Sequence, residues 1–494
     1  MGVGRATRWG RALSVLALAV VFGPGEVDRR PEPGVVGGPA WGDCGDGFQC
    51  ANLRVPLVHP GAGGEPGGEW LEIAVTRLPA GGGAGRRIGA LVVNPGGPGE
   101  SGVDYARAAR LLFGAKVRER FDIVGFDPRG VGRSEPVECL ADEELDAFVA
   151  LDASPDTAKE RAELAEGSRR FAEGCRRHSG RLLPHFGTVA VARDLDLLRQ
   201  ALGERRLTYL GKSYGTLLGV TYARLFPEHV RAMVLDGAID PATPRPRLDA
   251  EQAAGFERAL RAYAADCLAG KGCPFRSRTV GGALKEVSGL LRRTDEAPLP
   301  AGDGRRKVTQ TSATLGLMAP LYDRALWPAL TEALRRAFRG DGTLLLRNAD
   351  QFTGRRDDGT YSNQTEANLA VNCADGGYPA SYADGAVRTS RFGPYLAWSS
   401  LPCAYWPRSP VPGFRPPAPG AAPILVIGTE RDPATPYEWA RRLAGRLESG
   451  VLLGYESDGH TAYSNGSTCV DQAVERYLVT GQSPGDGVVC PDIE

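Results

Sequence analysis

Five residues, Gly211-Lys212-Ser213-Tyr214-Gly215, constrain this chain more than any other feature. They follow an apolar run at 207–210 and precede a helical pattern at 214–226 that Pro227 closes. A strand that turns into a helix within one residue crowds the side chains around its apex, so glycine is needed on either side. The serine at the apex stands clear of the sheet. The Tyr214 N–H, at the start of the helix, points where negative charge would develop on an attacked carbonyl. This is the nucleophile elbow, G-x-S-x-G in its strand–turn–helix context. The same Gly-Lys-Ser also resembles the end of a phosphate-binding P-loop. That motif needs a glycine five residues before Gly211, where Arg206 stands, and the residues between are strand.

Further strands are read at 71–78, 90–94, 122–126, 233–235, 424–427 and 451–455, and several are followed by helical patterns. Strand–helix alternation of this kind indicates an α/β protein, here the α/β-hydrolase fold, with a mostly parallel central sheet flanked by helices. The rhythm stops between about 240 and 423. That gap holds helical patterns at 250–268 and 326–338, then Pro-rich irregular sequence, and reads as an inserted, largely helical cap domain. The expected organisation is a signal peptide and Pro/Gly-rich spacer over 1–39, the first part of the core over 40–240, the cap over 241–422, and the rest of the core over 423–494.

In this fold the chain order is serine, acid, histidine. Of five histidines only His460 lies beyond the late strands, in Ser457-Asp458-Gly459-His460-Thr461. The acid should follow the preceding strand, in Gly428-Thr429-Glu430-Arg431-Asp432-Pro433. Asp432 is preferred to Glu430 because it stands further into the loop, before a helix led in by Thr435 and Pro436. Asp458 is too near His460 in sequence to orient it. The run Asn94-Pro95-Gly96-Gly97-Pro98-Gly99 after the 90–94 strand suits the oxyanion loop. Gly97, with Gly96 close behind, is the expected second donor beside Tyr214. The expected chemistry is acyl transfer through Ser213, His460 and Asp432, with neither metal nor cofactor.

Together these stretches resemble the secreted bacterial tripeptidyl aminopeptidases, relatives of the prolyl aminopeptidases. The matching segments are NPGGPGESG at 94–102, GFDPRGVGRS at 125–134, GKSYGT at 211–216, VLDG at 234–237, GTERDPATP at 428–436 and DGHT at 458–461. The resemblance implies removal of short peptides from free N-termini under a cap that closes over the substrate amine. A carboxylate must then meet that ammonium. Asp375, in the familial Cys373-Ala374-Asp375 segment, and Glu100, in the oxyanion loop, are the candidates. The alternative is an esterase or amidase acting on small acyl substrates with the same triad. A binding protein on a dead hydrolase scaffold fits an intact triad poorly.

The formal net charge is zero and the arginines form no stripe, so no nucleic-acid or stable membrane partner is expected. Nothing in the sequence specifies an oligomeric state. Arg5, Arg8 and Arg11 before an apolar run at 12–22 read as an export signal, giving a secreted protein. Ten cysteines agree with an oxidising compartment. The simplest pairing joins sequence neighbours: Cys44 with Cys50, Cys139 with Cys175, Cys267 with Cys273, Cys373 with Cys403, and Cys469 with Cys490. Non-reducing peptide mapping of the exported protein should recover these five linked pairs. Free thiols at most of the positions would refute both the bridges and the export.

Overall fold

In the computed structural model, residues 38–59, 68–302, 304–376, 390–407 and 418–492 are described. The export segment read at 1–39 therefore lies, as far as residue 37, outside the described residues. Ten strands form one sheet: β1 (Gly42–Asp43), β2 (Gln49–Pro56), β3 (Trp70–Leu78), β4 (Gly89–Asn94), β5 (Phe121–Phe126), β6 (Leu207–Lys212), β7 (Val230–Asp236), and, after a small hairpin of β8 (Leu299–Pro300) and β9 (Lys307–Val308), β10 (Ile424–Arg431), β11 (Gly450–Asp458) and β12 (Val488–Cys490). Their order is β1-β2-β3-β5-β4-β6-β7-β10-β11-β12. β1, β2 and β3 pair antiparallel, β3 runs antiparallel to β5, and every pairing from β5 to β12 is parallel. This is the α/β-hydrolase sheet.

Every residue of β4, β5 and β6 is buried, as parallel strands covered on both faces require. On one face Leu91, Val93, Leu210, Val234, Leu425 and Ile427 pack with Phe113 and with Val117, Val470 and Val474 from the covering helices. The seven strands read from the sequence are all present. β1, β2, β12 and the hairpin were not anticipated, being short or polar edge segments without a clean apolar alternation.

Between β7 and β10 the chain leaves the sheet and builds a helical layer with its own apolar core, including Phe256, Leu260, Tyr263, Leu290, Leu317, Leu334 and Phe392. Helices Arg245–Ala269 and Trp327–Ala337 cover the helical patterns read there. The stretch expected to be irregular instead holds helices Thr343–Thr353, Gln364–Asp375 and Gly393–Trp398. Pro394 sits in the first turn of the last of these, where its missing N–H costs nothing. Five disulfides join the expected sequence neighbours. The described residues from Gly38 onward form one compact unit.

One buried charged cluster braces the core. Arg129, from the GFDPRGVGRS segment after β5, is fully buried. Its Nε and Nη2 donate to both oxygens of Asp194 at 2.7 and 2.6 Å, and the remaining donors reach the carbonyls of Leu57, Pro56 and His185. His59 Nε2 lies 2.8 Å from the same carboxylate. Burial alone would raise the Asp194 pKa, but the guanidinium charge and these hydrogen bonds hold it below the ordinary value. Removing one partner strands a buried charge. Arg129→Met should therefore destabilise the protein by about 3–5 kcal/mol in urea unfolding, and Arg129→Met with Asp194→Leu should recover much of the loss.

Candidate active site

Strand order reverses direction between β4 and β6, and the crevice beyond the carboxyl ends of strands at such a switch is where α/β sheets bind ligands. The loop after β4 carries 95–100, and β6 leads directly into Ser213. The two are in contact. A Cβ on Gly96 would lie 2.5 Å from the Lys212 carbonyl oxygen, 3.0 Å from Ser213 Cβ and 3.1 Å from the Tyr214 nitrogen, so only glycine allows the approach. The Gly96 N–H is engaged by Asn94 Oδ1 at 3.1 Å, which leaves Gly97 as the next amide along the loop.

Ser213 precedes helix Tyr214–Leu225 at φ 54°, ψ −122°, a backbone region that a side-chain-bearing residue occupies only under strain. Its N–H donates to the Asp236 carbonyl at 2.9 Å, which ties the elbow to β7.

His460 and Asp432 meet. Nδ1 lies 2.9 and 3.0 Å from the two carboxylate oxygens, and Asp432 is fully buried. Asp432 also accepts from the backbone N–H groups of Ala434 and Thr435 at 2.8 Å each, from Thr435 Oγ1 at 3.0 Å and from Thr461 N–H at 3.3 Å. This donor set holds a carboxylate in one orientation and lets it steady an imidazolium. Thr435, which the sequence suggested only as a helix lead-in, reaches His460 Nδ1 as well, at 3.3 Å. The rival acids are elsewhere: Glu430 is exposed, and Asp458 pairs with Arg431 at 2.8 Å.

The helical layer holds the histidine from the other side. His460 N–H donates to the Tyr322 carbonyl at 2.7 Å, and the Tyr322 ring meets the imidazole edge-on at 5.2 Å between centroids. His460 Nε2 is buried and has no hydrogen-bond partner among the described residues, Ser213 included. Such contacts commonly tighten only once substrate is bound. Burial disfavours the charged imidazole, but the charge and hydrogen bond of Asp432, with Asp236 and Glu100 behind them, outweigh it and raise the pKa above the ordinary 6.5.

The two candidate amine anchors differ in their surroundings. Asp375 ends helix Gln364–Asp375, and both its oxygens are engaged by Thr188: Oδ1 accepts the Thr188 N–H at 2.7 Å and Oδ2 its hydroxyl. It thus caps helix Thr188–Ala201, and Thr188 Oγ1 in turn bonds Tyr214 Oη at 2.7 Å. Burial pushes its pKa up to about 6, against the pull of the Thr188 bonds. Glu100 instead opens onto solvent inside the cleft. Crowding by surrounding protein raises its pKa, His460 lowers it in part, and Tyr105 and Tyr322 feel its charge. A cavity of about 1040 Å³ starts at Pro95, Gly99 and Glu100 and runs between 132–145 of the core and 356–366 of the helical layer. Helix Gln364–Asp375 packs on the oxyanion loop along this wall: Asn368 Nδ2 donates to the Pro98 carbonyl at 3.0 Å, and a Cβ on Gly99 would come within 2.6 Å of the Gln364 carbonyl.

Residues 388–490 match a protein-family model described as TAP-like protein. Over 467 residues the chain is 37% identical to the serine protease Hip1 of Mycobacterium tuberculosis, covering 90% of this chain and 87% of that protein. It is also 37% identical to carboxylesterase B of the same organism over 463 residues, covering 90% and 86%. Identity to the tripeptidyl aminopeptidase of Streptomyces lividans is 33% over 474 residues, covering 91% and 86%.

With His460 needed neutral to accept a proton, kcat/KM should fall as pH drops through a pKa above the ordinary imidazole value, and Asp432→Asn should move that limb to lower pH. A serine-directed phosphonate should label Ser213 alone, and Ser213→Ala should lose the label together with roughly four to six orders of magnitude in turnover. Near-normal turnover in that variant would remove Ser213 from the chemistry.

Proposed function

The chain belongs to the tripeptidyl aminopeptidase family of α/β-hydrolase serine hydrolases, and from that premise we propose that it removes short peptides, tripeptides foremost, from free N-termini outside the cell. The observation that supports this reading is the meeting of His460 with Asp432 beyond an elbow serine, with the exposed Glu100 carboxylate on the loop after β4 lining the neighbouring cavity. Export is supported by the five disulfides and the basic–apolar N-terminal segment.

In the proposed reaction, His460 Nε2 takes the Ser213 hydroxyl proton as Oγ bonds the scissile carbonyl carbon. The Gly97 and Tyr214 N–H groups receive the oxyanion. His460 then gives its proton to the leaving amine, and water releases the acyl group by the same steps in reverse. Asp432 keeps Nδ1 protonated and Nε2 free to accept throughout.

Of the two candidate anchors, Glu100 suits the substrate ammonium better, because Asp375 already accepts two hydrogen bonds from Thr188. An ammonium drawn from water into this cleft needs an available carboxylate close to the base. The esterase reading keeps the triad and has its own support in the likeness to carboxylesterase B.

Paired peptides with free and acetylated N-termini distinguish the two. Acetylation removes the cation that the carboxylate would meet, so free-amine peptides should be cleaved at least roughly tenfold faster. Glu100→Gln should shrink that ratio, whereas Asp375→Asn should lower stability and leave the ratio standing. Equal turnover of acetylated peptides or simple acyl esters would overturn the aminopeptidase reading in favour of the esterase or amidase.

A further inference from the structure

We propose that Asp236 is a positioning residue that locks the nucleophile and the histidine loop to each other through its backbone carbonyl and its carboxylate. It closes β7, between the strands that deliver Ser213 and Asp432, and is fully buried. Its carbonyl accepts the Ser213 N–H at 2.9 Å. Its carboxylate accepts the N–H of Ala462 at 2.9 and 3.1 Å and of Tyr463 at 2.9 Å. One residue thus grips the elbow with its main chain and the loop after His460 with its side chain. The adjoining Gly237, at φ 67°, leaves room for the imidazole: a Cβ there would lie 3.2 Å from His460 Cε1.

The neighbour of the nucleophile makes a second tie to the same loop. Lys212 Nζ is buried, donates to the Tyr463 carbonyl at 2.7 Å and stands 3.9 Å from Asp236 Oδ2. Burial raises the Asp236 pKa and lowers that of Lys212, and each charge partly offsets the effect on the other. A buried ion pair adds little stability compared with apolar residues of the same volume, so stability alone is a weak reason for one here.

The loop itself shows what the pair holds. Thr461, between His460 and the two clamped amides, has φ 66°, a conformation in which a β-branched residue is under strain. Strain of this kind persists only where surrounding contacts over-determine the backbone. Asp432 accepts the Thr461 N–H, Asn465 Nδ2 donates to its carbonyl at 3.0 Å, and Asp236 grips the next two residues. That backbone turn is what sends His460 back toward Asp432 while the chain continues into the core.

This inference rests on Ser213 and His460 as nucleophile and base but not on the substrate class, so its test uses p-nitrophenyl acetate and a serine-directed phosphonate. In Asp236→Asn, one amide faces an NH2 group and Lys212 loses its counter-charge. Phosphonate inactivation and ester kcat should fall at least about tenfold while KM stays within about twofold. Asp432 and the Tyr322 ring meet His460 directly, Asp236 and Glu100 add negative charge around it, and Lys212 and Asp471 lie beyond, so removing the Asp236 charge should also move the acid limb to lower pH. Asp236→Asn with Lys212→Met removes both buried charges, and this folded protein should show the same loss in kcat at constant KM. A double variant that acylates within about threefold of the unsubstituted rate, or a single variant whose acid limb does not move, would overturn the clamp. Phosphonate labelling of the unsubstituted protein away from Ser213 would overturn the triad reading instead.

Discussion

Ser213 is held at φ 54°, ψ −122° by the close approach of three backbone segments, and much of the site is arranged around that turn. The elbow works only if nothing projects where β6 meets its helix and the loop after β4. A Cβ on Gly211 would lie 2.3 Å from the Gly215 carbonyl oxygen, and one on Gly96 would be pressed against Lys212 and Tyr214. The cost of the turn, of order 1–3 kcal/mol for a residue in such a region, is borne by a sheet whose central strands are buried throughout. In return the hydroxyl and the Tyr214 amide stand together at the carboxyl edge of the sheet, where the dipole of the following helix favours negative charge.

The helical layer reaches the candidate site residues as well as forming the walls. The Tyr322 carbonyl holds the His460 N–H, and the Tyr322 ring covers one edge of the imidazole. Helix Gln364–Asp375 braces the loop after β4 through Asn368 and reaches the Tyr214 hydroxyl through Asp375 and Thr188. Tilting this layer would therefore disturb both His460 and the loop after β4.

Buried charges in the core fall into two sets with different duties. Arg129, Asp194 and His59 brace β2, the loop after β5 and helix Thr188–Ala201 away from the reacting atoms. Asp432 and Asp236 sit at the ends of adjacent strands and together fix the loop that carries His460. Asp432 meets the imidazole itself, whereas Asp236 meets the backbone beyond it. Asp236 stands opposite Ile427 in the sheet, whereas Asp432 lies beyond the end of β10, and the loop that carries His460 meets both.

The sequence alone determined the backbone plan and where along it the candidate triad residues stand. Apolar runs specify strands, glycines specify where chains may touch, and Ser213, Asp432 and His460 follow the strands that deliver them. The neighbouring cysteines pair because short loops bring them together easily. Only the tertiary structure decided which carboxylates are already engaged. Asp375 and Glu100 look alike as residues in familial motifs, but one caps a helix 187 residues away in sequence and the other opens onto the cleft. Asp236 lies 226 residues from Ala462, and Lys212 lies 251 from Tyr463. Local pattern encodes backbone conformation, because sterics and burial act on neighbours along the chain. The pairing of buried polar groups depends on which distant segments packing brings together, and no local signal carries that information.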